Sequence, residues 1–356
     1  MLEPMATPAT SPDPVVEPAS SGVPAVASSA PAVAGAAQPI GWRERSWRMW
    51  FAFGFLLAAA SLFGFAGEAW WVFDVLAHFR VQYALGLTII APTALLTRRW
   101  KTALALALLA VVNIAQVWPY LEAGPAGPPP PGRTWRGLAI NVHTHNRRSD
   151  LVRDLIHERR PDLLVLTEVD DRWLGELAPL HDEFPYRTVH PRGDNFGIAF
   201  FSRLPPRSLA VRFFPADSTL PSIVGEFEMG SATLTVLGTH PLPPRKPDYA
   251  AGRDAQFAAM GDFLAGVPGP KLVLGDLNST PWSAPFQRFL EQGGLRDSAV
   301  GWGIHPTWPT TVPLFWSPID HALVSPHLAV VGRRVGGFVG SDHFPVEIDF
   351  ALNPAP

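Results

Sequence analysis

Three long apolar runs in the first third of the chain constrain its fold more than any other feature. Residues 49–66 contain no charged residue, and at about 1.5 Å per residue a helix of this length approaches the thickness of a bilayer's hydrocarbon core. Residues 81–97 and 102–121 are similarly apolar, and only a four-residue basic turn separates them. The pattern predicts three transmembrane helices within residues 42–121, whereas buried helices of a soluble protein are the alternative.

Basic residues around these runs predict their orientation. One cluster precedes the first run and consists of Arg43, Arg45 and Arg48. The other lies between the last two runs and consists of Arg98, Arg99 and Lys101. Because Lys and Arg are enriched on the cytoplasmic side, both clusters are expected there. The chain is therefore predicted to be a multi-pass protein of the cell (inner) membrane. Its N-terminal tail would be cytoplasmic, and residues 67–80, an aromatic interfacial loop, and everything after residue 121 would be extracytoplasmic, or periplasmic.

Composition divides the rest of the chain. Residues 1–40 hold no Lys or Arg and are almost entirely small residues and proline, so residues 1–41 are predicted to be a disordered tail. The Gly/Pro-rich segment 122–134 is predicted to be a semi-rigid linker, and residues 135–353 are predicted to form a separate folded domain. The absence of cysteine excludes disulfides, zinc–thiolate sites and thiol catalysis.

From residue 137 onward, short apolar runs alternate with helical patterns, which is typical of an α/β domain. Strands are predicted at 137–142, 162–168, 196–201, 222–227, 233–239, 271–275, 320–324 and 345–350, and helices at 150–160, 248–265 and 284–291. Residues 133–356 carry 21 basic and 24 acidic residues. This small excess of acidic residues disfavours a protein that binds duplex DNA through many phosphate contacts.

Polar residues follow several predicted strands: Asn141, Glu168, His240, Asp276 with Asn278, the pair Asp320-His321 and the triplet Ser341-Asp342-His343. The carboxyl ends of core strands are where α/β proteins place their ligands. Carboxylates and amides suit a hard cation, Mg²⁺ or Mn²⁺. Such a cation polarises a phosphoryl oxygen while a carboxylate or imidazole activates water, so phosphate ester hydrolysis is predicted.

Six ordered segments strengthen this interpretation: NVH at Asn141, LTE at Glu168, GTH at His240, GDLN at Asp276 and Asn278, IDH at Asp320, and SDH at Asp342 and His343. In this order they resemble the signature segments of the endonuclease/exonuclease/phosphatase superfamily, and the resemblance covers nearly all of residues 137–350. It implies the deoxyribonuclease-I-like fold, a four-layer α/β/β/α sandwich of two mixed β-sheets, in a membrane-anchored bacterial member of that superfamily.

The resemblance also implies roles for individual residues. On the metal side, Glu168 would be the main ligand, Asn141 would lie beside the metal and the scissile phosphate, and Asp342 would lie close to the metal.

On the substrate side, the resemblance implies that Asp276 orients or deprotonates the attacking water and Asn278 holds a phosphate oxygen. His240 and His343 would flank the phosphate, and Asp320 would orient His343. No covalent intermediate is expected.

Other residues keep two interpretations. His143 and His145 could suggest zinc, although surface or supporting roles are favoured, and Arg147 and Trp308 are candidate substrate contacts. Asn195 lies where some nucleases of the superfamily carry a carboxylate, so His240 is expected to lack that partner. Polar residues within the apolar runs (Pro92, Asn113 and Gln116) and on one helix face (Arg253 and Gln256) are assigned to packing.

The protein is thus predicted to be a metal-dependent hydrolase acting on ester bonds. Its substrate would be nucleic acid, a lipid headgroup or a small phosphate ester, and its transmembrane helices would contact the lipid bilayer. No protein partner is predicted. A catalytically silent binding module of the same fold and a functional transmembrane unit with a regulatory domain are the alternatives.

Overall fold

The structure of the protein is a computed structural model that describes residues 15, 41–124, 130, 132–230 and 232–353. Apart from Val15 and Gly41, the predicted tail lies outside the described residues, as do residues 125–129 and 131 of the predicted linker. Residues Ser46–Pro356 belong to one compact unit, so the N-terminal helices and the α/β domain can be described together.

Four α-helices lie in the described N-terminal part: α1 (Trp42–Phe63), α2 (Trp71–Ala77), α3 (Arg80–Leu96) and α4 (Trp100–Leu121). Two helical segments, Trp42–Ala66 and Trp100–Leu121, are long and apolar enough to cross a membrane. A third would count only if α2 and α3, which meet at an angle of 64°, formed one span. The predicted count of three is not confirmed, because the 17 residues of α3 reach only about 25 Å as a helix.

The predicted loop 67–80 contains helix α2, which the sequence interpretation missed. Its composition is aromatic, as expected at an interface, but Asp74 on this helix is buried against the α/β domain. Contact with a helix of the α/β domain, Pro247–Ala265, therefore stabilises a helix of seven residues that would not form by itself.

Apolar side chains cover the outside of the helices, for example Leu56, Ile89 and Leu108. Inside, Arg80 donates to the Ser61 carbonyl at 2.8 Å and to Oδ1 of Asn113 at 3.3 Å. Asn113 also donates to the Ser61 hydroxyl at 2.7 Å. The polar network thus joins α1, α3 and α4, and Asn113 has the packing role expected from the sequence.

The α/β domain contains twelve strands in the described residues: β1 (Trp135–Asn141), β2 (Leu163–Thr167), β3 (Tyr186–His190), β4 (Ile198–Ser202), β5 (Pro206–Phe213), β6 (Pro221–Met229), β7 (Ala232–Gly238), β8 (Lys271–Asp276), β9 (Arg296–Asp297), β10 (Asp320–Val324), β11 (Leu328–Val335) and β12 (Val346–Leu352). They form two six-stranded sheets, of order β11-β12-β1-β2-β4-β3 and β5-β6-β7-β8-β10-β9. Each sheet has one parallel pair, β1–β2 or β7–β8, so both are mixed.

The two sheets pack face to face around an apolar core to which both contribute, including Val165, Phe200, Val236 and Leu274. Helices α5 (Ser149–Arg159) and α6 (Asp171–Leu177) cover the outer face of the first sheet. Helices α7 (Pro247–Ala265) and α8 (Ala284–Gly293) cover the outer face of the second. The predicted α/β sandwich of two mixed sheets is confirmed.

Most of the predicted strands and helices are observed within a few residues of their predicted ends, but four strands and α6 were not predicted. Strands β3 and β5 are edge strands whose side chains are mostly exposed or half-buried. A strand of that kind lacks the continuous apolar run by which buried strands are recognised.

Hydrogen bonds and a buried ion pair connect the N-terminal helices to the α/β domain. Nη2 of Arg253 on α7 lies 2.8 Å from Oδ2 of Asp74 on α2, and both side chains are about 1% exposed. At the end of α4, the carbonyls of Pro119 and Tyr120 accept hydrogen bonds from the amides of Gly301 and Gly303. Arg253, assigned to packing from the sequence, is therefore the buried partner of a residue 179 positions away.

Candidate active site

Strand pairing brings the polar residues together. In the parallel pair β1–β2, Asn141 lies opposite Thr167, so the next residue, Glu168, emerges beside Asn141. In the antiparallel pair β8–β10, Asp276 lies directly opposite Asp320. Because the two sheets pack face to face, side chains from both can meet at this end of the sandwich.

The backbone at Glu168 is in the left-handed region, with φ of 62°, which is uncommon for a residue other than glycine. Its carboxylate accepts hydrogen bonds from Nδ2 of Asn141 at 3.0 Å and from the amide of Thr144 at 3.3 Å. The hydroxyl of Thr144 in turn donates to the Glu168 carbonyl at 3.0 Å. These contacts hold a strained residue in place, as is common where a side chain is positioned for function.

Asn141 connects the two sheets. Its Nδ2 donates to Oε1 of Glu168 and to Oδ2 of Asp276, both at 3.0 Å, while its Oδ1 accepts from the amide of His143. The amide group therefore fixes the distance between two carboxylates that would otherwise repel each other.

Asp276 lies between two imidazoles and is almost fully buried. Its Oδ2 is 3.3 Å from Nε2 of His240 and 3.7 Å from Nε2 of His343, and its Oδ1 accepts from the amide of Asn278. Burial opposes ionisation, but the charge of His343 and the contact with His240 outweigh it and hold the pKa of Asp276 below its ordinary value. Asp276 is therefore an ionised carboxylate.

Gly275, immediately before Asp276, is required by the close approach of β8 to the end of β7. Its φ is +147°, and a Cβ there would lie 2.0 Å from the carbonyl oxygen of Thr239. Glycine thus lets Asp276 reach His240, which follows Thr239.

His343 is paired with a second carboxylate, because its Nδ1 lies 2.8 Å from Oδ2 of Asp320. Burial alone would lower the pKa of His343, but the charges of Asp320 and Asp276 raise it to about 10. Burial also lowers the pKa of His240, yet the contact with Asp276 raises it overall above the ordinary value. Both imidazoles are therefore favoured as cations.

We expect His343 in the metal-free protein to remain protonated well above pH 6.5. Its folded pKa exceeds the unfolded value, so the stability it contributes is complete below about pH 6.5 and is lost as the pH rises through about 10. Side-chain ¹⁵N spectra of the EDTA-treated protein would measure the titration, and Asp320→Asn should move it downward. A midpoint of His343 near 6.5 in the unsubstituted protein would contradict the assigned pairing.

Asp342 faces the same region from the loop before β12. Its Oδ2 accepts from Nε1 of Trp308 at 3.2 Å, and its Oδ1 lies 3.5 Å from Nδ1 of His143. That Oδ1 is buried and accepts no hydrogen bond within the described part of the chain. His143 therefore lies beside Asp342, and its supporting role stays a prediction.

A cavity of about 420 Å³ opens onto this cluster. Seven of the ten predicted site residues line it: Glu168, His240, Asp276, Asn278, Trp308, Asp342 and His343. Asn141 and Asp320 contact these lining residues through hydrogen bonds. Arg147 is exposed and is not among the lining residues.

Other lining residues had no assigned site role in the sequence interpretation. Asn195 does line the cavity, and Nδ1 of His240 is buried without a hydrogen bond in the described residues, as expected if the usual carboxylate partner is missing. Arg245 and Tyr249 line the cavity near the start of α7. Val75, His78 and Phe79 come from the N-terminal helices, and no local signal in the sequence connects them to the site.

The cluster offers oxygen ligands that fit a hard cation. Glu168 and Asp342 both line the cavity. The buried Oδ1 of Asp342 accepts no hydrogen bond within the described residues and lies 3.5 Å from Nδ1 of His143, so it is an atom that a cation would satisfy. Asp276, Asp320 and His343 also place ligand atoms within 4.8 Å of one another. The raised pKa of His343 favours its cationic form, whereas metal ligation requires a neutral imidazole. Glu168 and Asp342 on one side, and Asp276 and Asp320 on the other, are the candidate oxygen ligands for a metal ion.

Comparison with known proteins agrees with this geometry. The sequence profile of the Endonuclease/Exonuclease/phosphatase family matches residues 138–343, more than half of the chain. No curated protein matches the sequence significantly.

Solved structures share the fold. An endonuclease/exonuclease/phosphatase from Beutenbergia cavernae DSM 12333 is 21% identical, with a TM-score of 0.51, and the match covers 63% of this chain and 73% of that one. The endonuclease/exonuclease/phosphatase from Bacteroides vulgatus is 16% identical (TM-score 0.52, covering 62% and 100%). TDP2 of D. rerio, complexed with a single-strand DNA product, is 14% identical (TM-score 0.53, covering 62% and 100%).

Proposed function

Because the chain belongs to the endonuclease/exonuclease/phosphatase family, we propose that it is a membrane-anchored phosphoesterase that uses Mg²⁺ or Mn²⁺ to hydrolyse a phosphodiester or phosphomonoester with activated water. One observation carries this proposal. Asp276 lies between the imidazoles of His240 and His343, whose pKa values are both raised, in a cavity that Glu168 also lines. An anionic phosphate, an attacking water and a cation can all be accommodated by that set of charges.

The charges favour particular roles. The lowered pKa makes Asp276 a weak base, so it would orient the attacking water more than deprotonate it. His240 and His343 would donate to the phosphate oxygens and stabilise the charge that develops on them. Asp320 is a positioning residue that keeps His343 oriented and charged.

Asn278 would bind a phosphate oxygen. Its Nδ2 donates to the Pro241 carbonyl at 3.0 Å, so the side chain is fixed at the cavity wall. Trp308 would contact the remainder of the substrate, and Arg147 would do so only for a substrate that extends beyond the cavity.

Glu168 would be the main metal ligand, with Asp342 close to the ion and Asn141 beside it. A cation bound there supplies Lewis-acid polarisation of the phosphoryl oxygen and stabilises the leaving oxyanion. Asn141 donates to the carboxylates of Glu168 and Asp276, so it would orient these two groups rather than contribute an oxygen itself.

We expect Glu168→Gln to weaken Mn²⁺ binding and to lower hydrolysis of bis(4-nitrophenyl) phosphate by about 10²-fold or more, because one anionic ligand is lost. The full-length chain in dodecyl maltoside should be used, since the domain alone would expose Arg253. Calorimetry measures Mn²⁺ affinity, and Glu158→Gln is a matched control on the exposed face of α5. Activity that survives EDTA, or that persists in Glu168→Gln, would contradict the metal site.

The charge of the α/β domain and one aromatic residue at the cavity narrow the class of substrate. The α/β domain carries more acidic than basic residues, which favours a headgroup or small phosphoester over duplex DNA. A nuclease acting on single strands is the second candidate, supported by Trp308 at the cavity as a base-stacking surface.

The proposed location is the cell membrane, with the catalytic domain outside the cytoplasm. The three cations of the α3–α4 turn lie a helix length away from the end of α4 that contacts the α/β domain. Alkaline phosphatase fused to the C-terminus should therefore be active in a bacterial host. An inactive fusion combined with an active cytoplasmic reporter at the same position would reverse the orientation.

A further inference from the structure

One wall of the cavity is built by the N-terminal helices. Val75 on α2 and the two residues that follow this helix, His78 and Phe79, line the cavity together with Glu168 and His343. Nε2 of His78 is buried and makes no hydrogen bond among the described residues. The segment that connects the membrane-capable helices is therefore part of the surface that a substrate would contact.

This wall is rigidly held. Oδ2 of Asp74 accepts from Arg253 at 2.8 Å, and its Oδ1 accepts from the Ser283 hydroxyl at 2.8 Å and from the amide of Ala284 at 3.1 Å. Asp74 thus caps the start of α8 from another part of the chain and places its charge where the helix dipole favours it. A buried carboxylate with these partners cannot leave without a large penalty, so α2 is fixed to the domain.

A second attachment joins the wall to an apolar loop. The rings of Phe79 and Phe315 are 6.3 Å apart, and Nε2 of Gln82 on α3 donates to the carbonyls of Leu314 and Trp316. The loop residues, which we call the apolar rim, are exposed: Val312 by 42%, Leu314 by 72%, Phe315 by 49% and Trp316 by 38%.

The apolar rim lies beside the start of α3, a helix that packs against a membrane-capable helix. The rim touches Phe79 and Gln82, at the very start of α3. Helix α3 carries exposed apolar side chains along its length, and α4, with which it packs, can cross a membrane. Exposed aromatic and aliphatic side chains at the end of such a helix lie at the depth of the lipid headgroups. With α4 crossing the membrane, as proposed above, the cavity mouth beside Phe79 would face the bilayer surface.

We propose that the cavity receives the phosphate headgroup of an amphiphile that remains in the bilayer, and that Phe79 and the apolar rim contact its apolar chain. The inference rests on the proposed phosphoesterase function and adds the class of substrate. Phe79 and Leu314 contact the apolar chain of the substrate, and His78 contacts its headgroup. Asp74 and Arg253 are positioning residues. A nucleic acid strand has no apolar chain to occupy the rim, and Arg245 is the one guanidinium among the described lining residues.

Two chromogenic diesters with the same reacting centre test the proposal: hexadecyl 4-nitrophenyl phosphate and methyl 4-nitrophenyl phosphate. The full-length chain in dodecyl maltoside micelles, with Mn²⁺, is assayed for kcat/KM on both, and a single-stranded oligonucleotide is assayed in parallel. We expect the hexadecyl ester to be preferred by about tenfold or more, since burying even two methylenes is worth that factor. Phe79→Ala and the exposed Leu314→Gln should each lower the ratio of the two kcat/KM values by severalfold.

Phe338→Ala is the matched control, because Phe338 is 56% exposed and is not among the lining residues. Micelle partitioning alone would raise the hexadecyl rate equally in all variants, so a ratio unchanged in Phe79→Ala and Leu314→Gln would overturn the inference. Equal use of both esters, or preferred cleavage of the oligonucleotide, would also overturn it while leaving the phosphoesterase function standing. If neither ester nor the oligonucleotide were cleaved, the proposed function itself would fail and the inference with it.

Discussion

Asp276→Asn is expected to lower metal-dependent hydrolysis of a phosphodiester by about 10³-fold or more, because it removes the charge that orients water and maintains both imidazolium ions. The substitution keeps the shape of the side chain. It removes, however, the anion 3.3 Å from His240 and 3.7 Å from His343. Steady-state kcat with bis(4-nitrophenyl) phosphate and saturating Mn²⁺ measures the effect.

Asp217→Asn, in the exposed β5–β6 connection, controls for the loss of one negative charge. It should leave kcat unchanged. An Asp276→Asn protein that keeps more than a tenth of the unsubstituted activity would show that the Asp276 carboxylate does not act in the reaction.

Asp74→Ala is expected to have the largest effect on structure, destabilising the contact between α2 and the domain by about 3–5 kcal/mol. The substitution leaves Arg253 buried without its partner and removes the cap from α8. Hydrogen exchange should show lost protection of the α8 amides that begin at Ala284, and activity should fall because Val75, His78 and Phe79 leave the cavity wall.

Glu68→Ala provides the comparison for this interface. Glu68 contacts Arg288 on α8 at 2.7 Å, but the two side chains are 71% and 50% exposed. Exposed pairs contribute little, so this variant should lose at most about 1 kcal/mol and keep its α8 protection. Equal effects of the two substitutions would contradict the special role of the buried pair.

The sequence predicted which polar residues of the α/β domain meet at the cavity, because these residues follow buried strands. Asp276 ends one apolar run and Asp320 begins another. Strand pairing brings the two together without any contribution from loops. The order of the six segments then identified the family that the profile match shows. The individual residue roles stay proposals.

The N-terminal wall could not be predicted in the same way. Asp74 and Arg253 are 179 positions apart, and neither lies in an amphipathic pattern that indicates its partner. Residues 67–80 look like an interfacial loop because their aromatic residues dominate, and α2 is too short to be recognised by periodicity. The edge strands β3 and β5 were missed for a related reason, since partly exposed strands carry a weak pattern.

The most direct test of the central claim, hydrolysis by an activated water without a covalent intermediate, is the stereochemistry at phosphorus. A single isomer of methyl 4-nitrophenyl phosphorothioate would be hydrolysed by the full-length chain with Mn²⁺ in ¹⁸O-water. Direct in-line attack by water predicts ¹⁸O in the phosphorothioate product with inversion of configuration. Retention would indicate two displacements through a covalent intermediate, and hydrolysis that persists without the metal would contradict the metal site.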